Sequence, residues 1–405
     1  VNIAYFLADP GIGIFGTKGA SVHAQEMIRA LRALGHEVTV FATKRGNKHG
    51  DPSSEYVPAD LKDLPVFVVP VAGAKGAAAR EQATARASAR MAELAAEESY
   101  DLAYERYSLF STAGTALKDR QRMPLVVEVN APLLAEQSAH RQLHDTQTAM
   151  ESTLRTFGAA DVLSCVSTPV ADWARCVSAG TDPRIIVTPN GVNVERFGRQ
   201  RTTTPSSSRP FTVGFLGTLK PWHGTEFLLQ AVAAGSGLAG IRVEILGDGP
   251  QRTELESLAV QLGIAERVVF HGAVAPEQVP AALSAWDAGV APYPVPQQQG
   301  EHYFSPLKVY EYLAAGLPVV ASATGEIPEI IEHGRTGLLV PGSDPDALAE
   351  ALGRLAADPQ LRQQMGAAAR AEAQQRHSWQ TRAAELLEAA GTALPSPVPV
   401  SEVIC

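Results

Sequence analysis

Residues 2–42 read NIAYFLADPGIGIFGTKGASVHAQEMIRALRALGHEVTVFA, and this stretch decides the fold. An apolar run, Asn2–Ala8, leads into a glycine-rich loop. From Ala20 to Leu34 the residues Met27, Ile28, Leu31 and Leu34 recur at helical spacing on one stripe, and Gly35 supplies the stop. A second apolar run, Glu37–Ala42, follows at once. Strand, helix and strand in such close succession form a parallel βαβ unit, because a parallel partner needs a crossover.

The same alternation continues outward. Strands are predicted at Val66–Val69, Leu102–Tyr104, Leu125–Val129, Val162–Val166 and Ile185–Val187, with helices between them. Arg199–Pro210 (RQRTTTPSSSRP) is polar and rich in Ser and Pro, and reads as a linker. The pattern then restarts with strands at Thr212–Leu216, Arg242–Leu246, Val268–Phe270, Ala288–Ala291, Pro318–Ala321 and Gly337–Val340, and helices follow Pro345. The expectation is an α/β chain of two Rossmann-like, doubly wound parallel-sheet domains, 1–198 and 211–376, joined by a linker at 199–210. A C-terminal helix and Pro-rich tail occupy 377–405. Two such sheets are expected to face each other across a cleft, with ligands at the strand carboxyl ends.

Composition narrows the function. The chain has 405 residues, 45% hydrophobic and 19% charged, enough for two independent cores. A net charge of -9 argues against nucleic acid or an anionic membrane as partner. No run approaches the roughly 18 apolar residues of a membrane span. Val1–Ala8 lacks the basic flank of a signal peptide, so the expected compartment is the cytoplasm. Cys165, Cys176 and Cys405 have no metal-ligand spacing and read as small hydrophobes and a tail thiol. Only two lysines, Lys220 and Lys308, lie beyond Lys118, and the preference for Arg and Ala points to a GC-rich bacterial genome.

Two stretches look built for phosphate. Gly11–Gly19 (GIGIFGTKG) contains G-x-G-x-x-G, yet the second strand ends Phe41-Ala42-Thr43-Lys44-Arg45, without the acid that a nicotinamide site needs for its ribose. It is read as a loop whose Gly16 and Gly19 let backbone N–H groups approach an anion at a helix start; the alternative is a purely structural turn. Glu301–Gly316 (EHYFSPLKVYEYLAAG) is the stronger candidate. Ser305 as N-cap and Pro306 as first helical residue would place free amides and a positive dipole end at the domain mouth. Lys308 falls in the first turn, where its charge opposes the dipole and gains nothing unless a phosphate is present. Glu311, three residues on, is placed for ribose hydroxyls; the alternative is a Lys308–Glu311 surface pair. Lys220 lies in Gly217–Gly224 (GTLKPWHG), directly after a predicted strand, with Thr218 and His223 beside it. Lys220, Lys308 and the helix amides together could neutralise a leaving diphosphate.

At these residues the chain resembles the family-four retaining glycosyltransferases of GT-B fold. The resemblance rests on GTKGASVHAQEMIRALRALGHEVTVF, TPNGVNVERF (Thr188–Phe197), GTLKPWHG, LGDGP (Leu246–Pro250), YEYLAAGLPVV (Tyr310–Val320) and the stretch Gly325–Val340, in the family's order. It implies a nucleoside-diphosphate sugar, UDP- or GDP-linked, bound mainly by the second domain, and an acceptor bound mainly by the first. It also implies transfer with retention and without a metal cofactor. The donor-binding residues it implies are Gly16, Gly19, Gly217, Thr218, Lys220, Gly247, Tyr303, Phe304, Ser305, Pro306, Leu307, Lys308 and Glu311. Lys220, Lys308, Glu311 and His223 carry the chemistry. The lone D-x-D, Asp344-Pro345-Asp346, reads as a helix N-cap rather than a phosphate clamp.

Three positions depart from the family pattern. Tyr303 stands where the family has the Glu that reads donor hydroxyls. Thr218 and His223 stand where it has an Arg and Lys pair, and Lys220 with Lys308 is expected to restore those charges. Asn130 takes the place of the acceptor-side His and cannot carry a proton. On the acceptor side the candidates are His23, Glu105, Arg106, Glu128 and Asn130, with a structural ion pair as the alternative for the charged ones. The basic stretch Lys75–Arg90 lacks the aromatic or Leu anchors of a lipid-facing helix, so a small soluble acceptor is expected. The other readings are a sugar-nucleotide epimerase or phosphorylase of the same fold and, from a different class, an NAD(P)-dependent dehydrogenase.

Overall fold

The structure is a computed structural model and describes residues 1–46, 57–71, 75–140, 143–180, 183–198, 209–296 and 303–391. Among these residues two parallel sheets form. The first comprises β1 (Asn2–Leu7), β2 (Glu37–Ala42), β3 (Val66–Val68), β4 (Leu102–Arg106), β5 (Leu125–Val129), β6 (Val162–Cys165) and β7 (Arg184–Val187), in the order β3-β2-β1-β4-β5-β6-β7. The second comprises β8 (Thr212–Leu216), β9 (Arg242–Leu246), β10 (Val268–Gly272), β11 (Ala288–Ala291), β12 (Val319–Ser322) and β13 (Gly337–Val340), in the order β10-β9-β8-β11-β12-β13. Counted from its own first strand, the second sheet runs 3-2-1-4-5-6, the doubly wound order, and the first runs the same with a seventh strand added. All the strands expected from sequence are present, with ends shifted by no more than two residues. Their legibility has a physical cause: β11 and β12 are buried along their whole length, so each is a nearly continuous run of apolar and small residues.

The chain divides into two compact units, one formed by Val1–Pro189 with the chain from Gln380 onward, the other by Asn190–Trp379. The division therefore falls ahead of the expected linker, of which residues 199–208 lie outside the described residues. The reason is local. Val192 N–H donates to the His377 carbonyl at 2.7 Å, and a Cβ on Gly191 would lie 2.8 Å from Trp379 N. These contacts fasten 190–198 to the second unit. The helix Trp379–Ala389 returns to the first.

In the second unit, glycines inside strands make room for aromatic rings. A Cβ on Gly214 of β8 would meet the Trp286 ring at 1.9 Å, and one on Gly289 of β11 would meet Tyr312 at 2.5 Å. Tyr312 sits on the helix Leu307–Ala314. Its phenol accepts from Leu216 N–H at 2.8 Å and lies 3.3 Å from the Val290 carbonyl as donor. One side chain thus pins that helix to the carboxyl ends of β8 and β11, the two strands at which the sheet order reverses. That is where ligands of doubly wound sheets bind.

Candidate active site

The β8 and β9 loops meet at two glycines. Gly217 and Gly247 have φ of 145° and 144°, and a Cβ on Gly247 would lie 1.9 Å from the Gly217 carbonyl oxygen. Leu219 N–H donates to the Asp248 carbonyl at 3.0 Å, locking the two loops together. Into this junction reaches Lys308, from the first turn of the 307–314 helix. Its Nζ would be 3.0 Å from a Cβ on Gly217, so only glycine admits it at that distance.

Lys308 is buried, which removes the surface-pair reading. Its Nζ lies 4.2 Å from the Phe215 ring centroid and 5.1 Å from that of Tyr293, and has no hydrogen-bond partner among the described residues. Ring faces attract an ammonium but satisfy none of its three donors. Burial pushes the amine down to about 7, with Glu311 alone pulling the other way. Phe215 and Tyr293 were not among the sequence candidates. Their shared signal is position: one lies in β8, the other just past β11, at the carboxyl ends flanking the switch point.

His223 Nδ1 is hydrogen-bonded to the Thr218 carbonyl, so Nδ1 carries the proton. Burial, with the Lys308 and Lys220 charges, pushes the imidazole down to about 3 against the Thr218 hydrogen bond. His223 is therefore a neutral group with a lone-pair acceptor at Nε2. Lys220 Nζ lies 4.6 Å from the centroid of the exposed Trp222 ring.

Ser305 departs from its expected role. The helix begins at Leu307 with Pro306 at its cap position, and Ser305 does not cap it. Its hydroxyl accepts from Asn190 N–H at 3.0 Å and lies 3.2 Å from the Tyr310 phenol. Phe304 packs on Tyr293 with ring centroids 4.9 Å apart, and Tyr303 and Glu311 are both half-buried. The structure so gathers Gly217, Thr218, Gly247, His223, Lys308 and Phe304 around one junction. Asp344 accepts from Ala347 N–H at 2.9 Å and is the helix cap it was expected to be.

In the first unit, strand parity separates two residues that sequence had grouped. Arg106 of β4 pairs in register with Glu128 of β5, and Tyr104 with Tyr5 of β1, so these four share one face. His23, from the helix Gly19–Ala33, meets Glu128 Oε1 there, and Arg106 lies 3.5 Å from Oε2. Burial alone would raise the Glu128 carboxyl. The His23 and Arg106 charges, with hydrogen bonds from His23 and Asn130, outweigh that and hold it down at about 2. Burial raises the Tyr5 and Tyr104 phenols, and the nearby Glu128 charge raises them further.

Glu105 points the opposite way and is corrected from the acceptor set. It is fully buried, accepting from Ser111 Oγ and, at 2.8 Å, from Gly114 N–H at the start of the helix Ala113–Gln121. Burial raises its carboxyl despite those bonds. The glycine loop also differs from expectation. Gly16 N–H is spent on the Gly13 carbonyl at 3.0 Å, and its own carbonyl accepts from Gln25 at 2.9 Å. The constrained glycine is Gly13, where a Cβ would lie 2.4 Å from the Gly46 carbonyl oxygen. Gly19 opens the first helix as expected.

Two family models match along the chain: "Glycosyltransferase Family 4" over residues 17–196 and "Glycosyl transferases group 1" over 210–358. A D-inositol 3-phosphate glycosyltransferase of Corynebacterium diphtheriae is 30% identical over 385 residues, covering 90% of this chain and 87% of its own. The chain belongs to glycosyltransferase family four. A GDP-mannose-dependent alpha-(1-6)-phosphatidylinositol monomannoside mannosyltransferase of Mycolicibacterium smegmatis is 33% identical over 247 residues, 58% of this chain and 64% of that one. Among solved structures, HepE of Anabaena in complex with UDP aligns with a TM-score of 0.69 and 21% identity, over 96% of this chain and all of that one. Sucrose-phosphate synthase of Thermosynechococcus elongatus aligns at 0.72 and 21%, over 96% and 97%. The fold of this glycosyltransferase is GT-B, and family membership sets the dehydrogenase reading aside. No helix of the described residues is long and apolar enough to cross a membrane.

Proposed function

We propose that the enzyme takes its sugar from a nucleoside-diphosphate sugar and passes it, with retention and without a metal, to a small soluble acceptor. The observation that carries this reading is Lys308, an ammonium buried at the Gly217–Gly247 junction with aromatic faces around it and no hydrogen-bond acceptor among the described residues. A diphosphate supplies the missing acceptors. As the glycosidic C–O bond to phosphate breaks, charge builds on the leaving oxygen. Lys308, Lys220 and the amides of the 307–314 helix stabilise it, an electrostatic contribution of order 3 kcal/mol per donor. The acceptor hydroxyl then bonds to the anomeric carbon from the same face, and its proton leaves to the departing phosphate. Glu311 is assigned to the ribose, and His223 Nε2 accepts from a donor hydroxyl.

On the acceptor side, Arg106 and Asn130, which border Glu128, are the groups assigned to the acceptor. Relatives that align along nearly the whole chain are named for an inositol phosphate, which makes a phosphorylated polyol the first acceptor to try. The test is calorimetry with UDP, GDP, ADP and dTDP in EDTA, on wild type and Lys308→Met. Metal-free binding of one nucleotide, lost in the variant, supports the reading. Binding only with a divalent cation, or binding indifferent to Lys308, sinks it.

A further inference from the structure

Lys308 can reach its anion only if the first turn of its helix stays in place, and the residue that fixes that turn lies 115 positions away in the chain. We propose that Asn190 is a positioning residue for the diphosphate site: it anchors Ser305 and through it the start of the helix that carries Lys308. The inference rests on the donor-site reading above.

Three observations support it. First, Asn190 grips Ser305 twice. Its backbone N–H donates to Ser305 Oγ at 3.0 Å and its Nδ2 donates to the Ser305 carbonyl at 2.7 Å, both bonds buried. Second, what separates Ser305 from Lys308 is stiff. Pro306 has a ring-locked φ and Leu307 is already helical, so a displacement at Ser305 is passed on rather than absorbed. Third, the anchor is itself braced. Ser305 Oγ reaches the Tyr310 phenol at 3.2 Å, the Tyr310 ring packs edge-on against His377 at 5.2 Å, and the His377 carbonyl accepts from Val192 N–H at 2.7 Å. Asn190 and Trp379 are the first and last residues of the second unit, so this circuit ties the donor helix to both points where the chain passes between units. Without the Asn190 amide, the Ser305 carbonyl would be a buried acceptor missing its donor, and the segment would shift to satisfy it.

The test measures nucleotide dissociation constants and the separate KM values for donor and acceptor, using whichever of UDP, GDP, ADP and dTDP binds wild type. Asn190→Ala is expected to weaken nucleotide binding and raise donor KM about five- to tenfold, the size of one buried hydrogen bond. Acceptor KM should stay at the wild-type value. Asn190→Asp, which sets an acceptor against the Ser305 carbonyl, should lose more than Asn190→Ala. Ser305→Ala removes the other bond of the pair and should give a smaller loss of the same kind, so the inference can be tested if Asn190 variants fail to fold. An unchanged nucleotide affinity in both positions overturns it, as does a parallel rise in both KM values, the mark of a general structural tie. Lys308→Met separates the two failures: if that variant loses nucleotide and Asn190→Ala does not, only the positioning role falls.

Discussion

Each unit buries charge near the carboxyl ends of its central strands, and the two units treat that charge in opposite ways. In the first, Glu128 is met by His23, Arg106 and Asn130, so the cost of desolvation is met by mutual attraction. In the second, Lys308 is buried against Phe215 and Tyr293 with the Glu311 charge nearby but no hydrogen-bond acceptor among the described residues. A paired buried charge is part of the folded core. An unpaired one depresses the stability of the empty protein and becomes favourable only when a ligand arrives. The same feature of composition therefore reads as architecture in one half and, on the function proposed above, as a binding site in the other.

The largest effect that would break this comparison is on stability. Glu128→Ala leaves His23 and Arg106 buried without their partner and is expected to cost about 3–5 kcal/mol. Urea unfolding checks it. The sign of the pH dependence follows from the depressed carboxyl: the Glu128 contribution is complete above the ordinary Glu value and is lost as pH falls toward about 2. The gap between wild type and Glu128→Gln should narrow between pH 5 and pH 3. A variant as stable as wild type at pH 7 would mean that the cluster is not a structural pair.

Lys308→Met should do the reverse. Transfer is expected to fall about 10²–10³-fold, as for loss of one transition-state donor. Stability of the empty protein should hold or rise, because a buried amine is replaced by a chain that needs no partner. The folded amine sits at about 7 against 10.5 for a free lysine side chain, so wild-type stability relative to this variant rises with pH between those values. Lost activity accompanied by a lower melting temperature would erase the contrast between the units.

A smaller effect sharpens it. A diphosphate favours charged Lys308, so binding should draw in a proton wherever the free amine is deprotonated. Nucleotide affinity should be level below about pH 7 and weaken above it, by at most about tenfold per pH unit. Calorimetry in two buffers of different ionisation enthalpy reads that proton directly. Uptake approaching one at pH 8 in wild type, absent from Lys308→Met, is the expected result.

How much of this was legible in the sequence depends on range. The strands were, because each carries a short run of apolar residues bounded by turns. The isolation of Lys220 and Lys308 beyond Lys118 marked both as residues to inspect, and Lys308 is buried. Strand parity could have separated Glu105 from Arg106, since neighbours on a strand face opposite ways. Ser305 was misread as a cap because local chemistry favours Ser before Pro, whereas its hydroxyl is claimed by Asn190 from across the unit. The aromatic surround of Lys308 was illegible for the same reason: Phe215 lies in β8 and Tyr293 just past β11, and no local pattern joins them.

The smallest expected effect concerns His223 and completes the comparison. Beside Lys308 and Lys220 its imidazole is held at about 3, with Nδ1–H donating to the Thr218 carbonyl. It can contribute one neutral hydrogen bond through Nε2 and no charge at working pH. His223→Gln should therefore lower donor affinity by only about three- to tenfold, the range of a neutral bond. The more telling readout is the pH profile. A histidine near its ordinary value would give wild type an acid limb between pH 6 and 7 that the variant lacks. Here both proteins should be flat below pH 7 and fall above it with the same slope, because Lys308 titrates in each. An acid limb in wild type that vanishes in His223→Gln would return a positive charge to the β8 loop. The second unit would then resemble the first in sharing its charge among several groups.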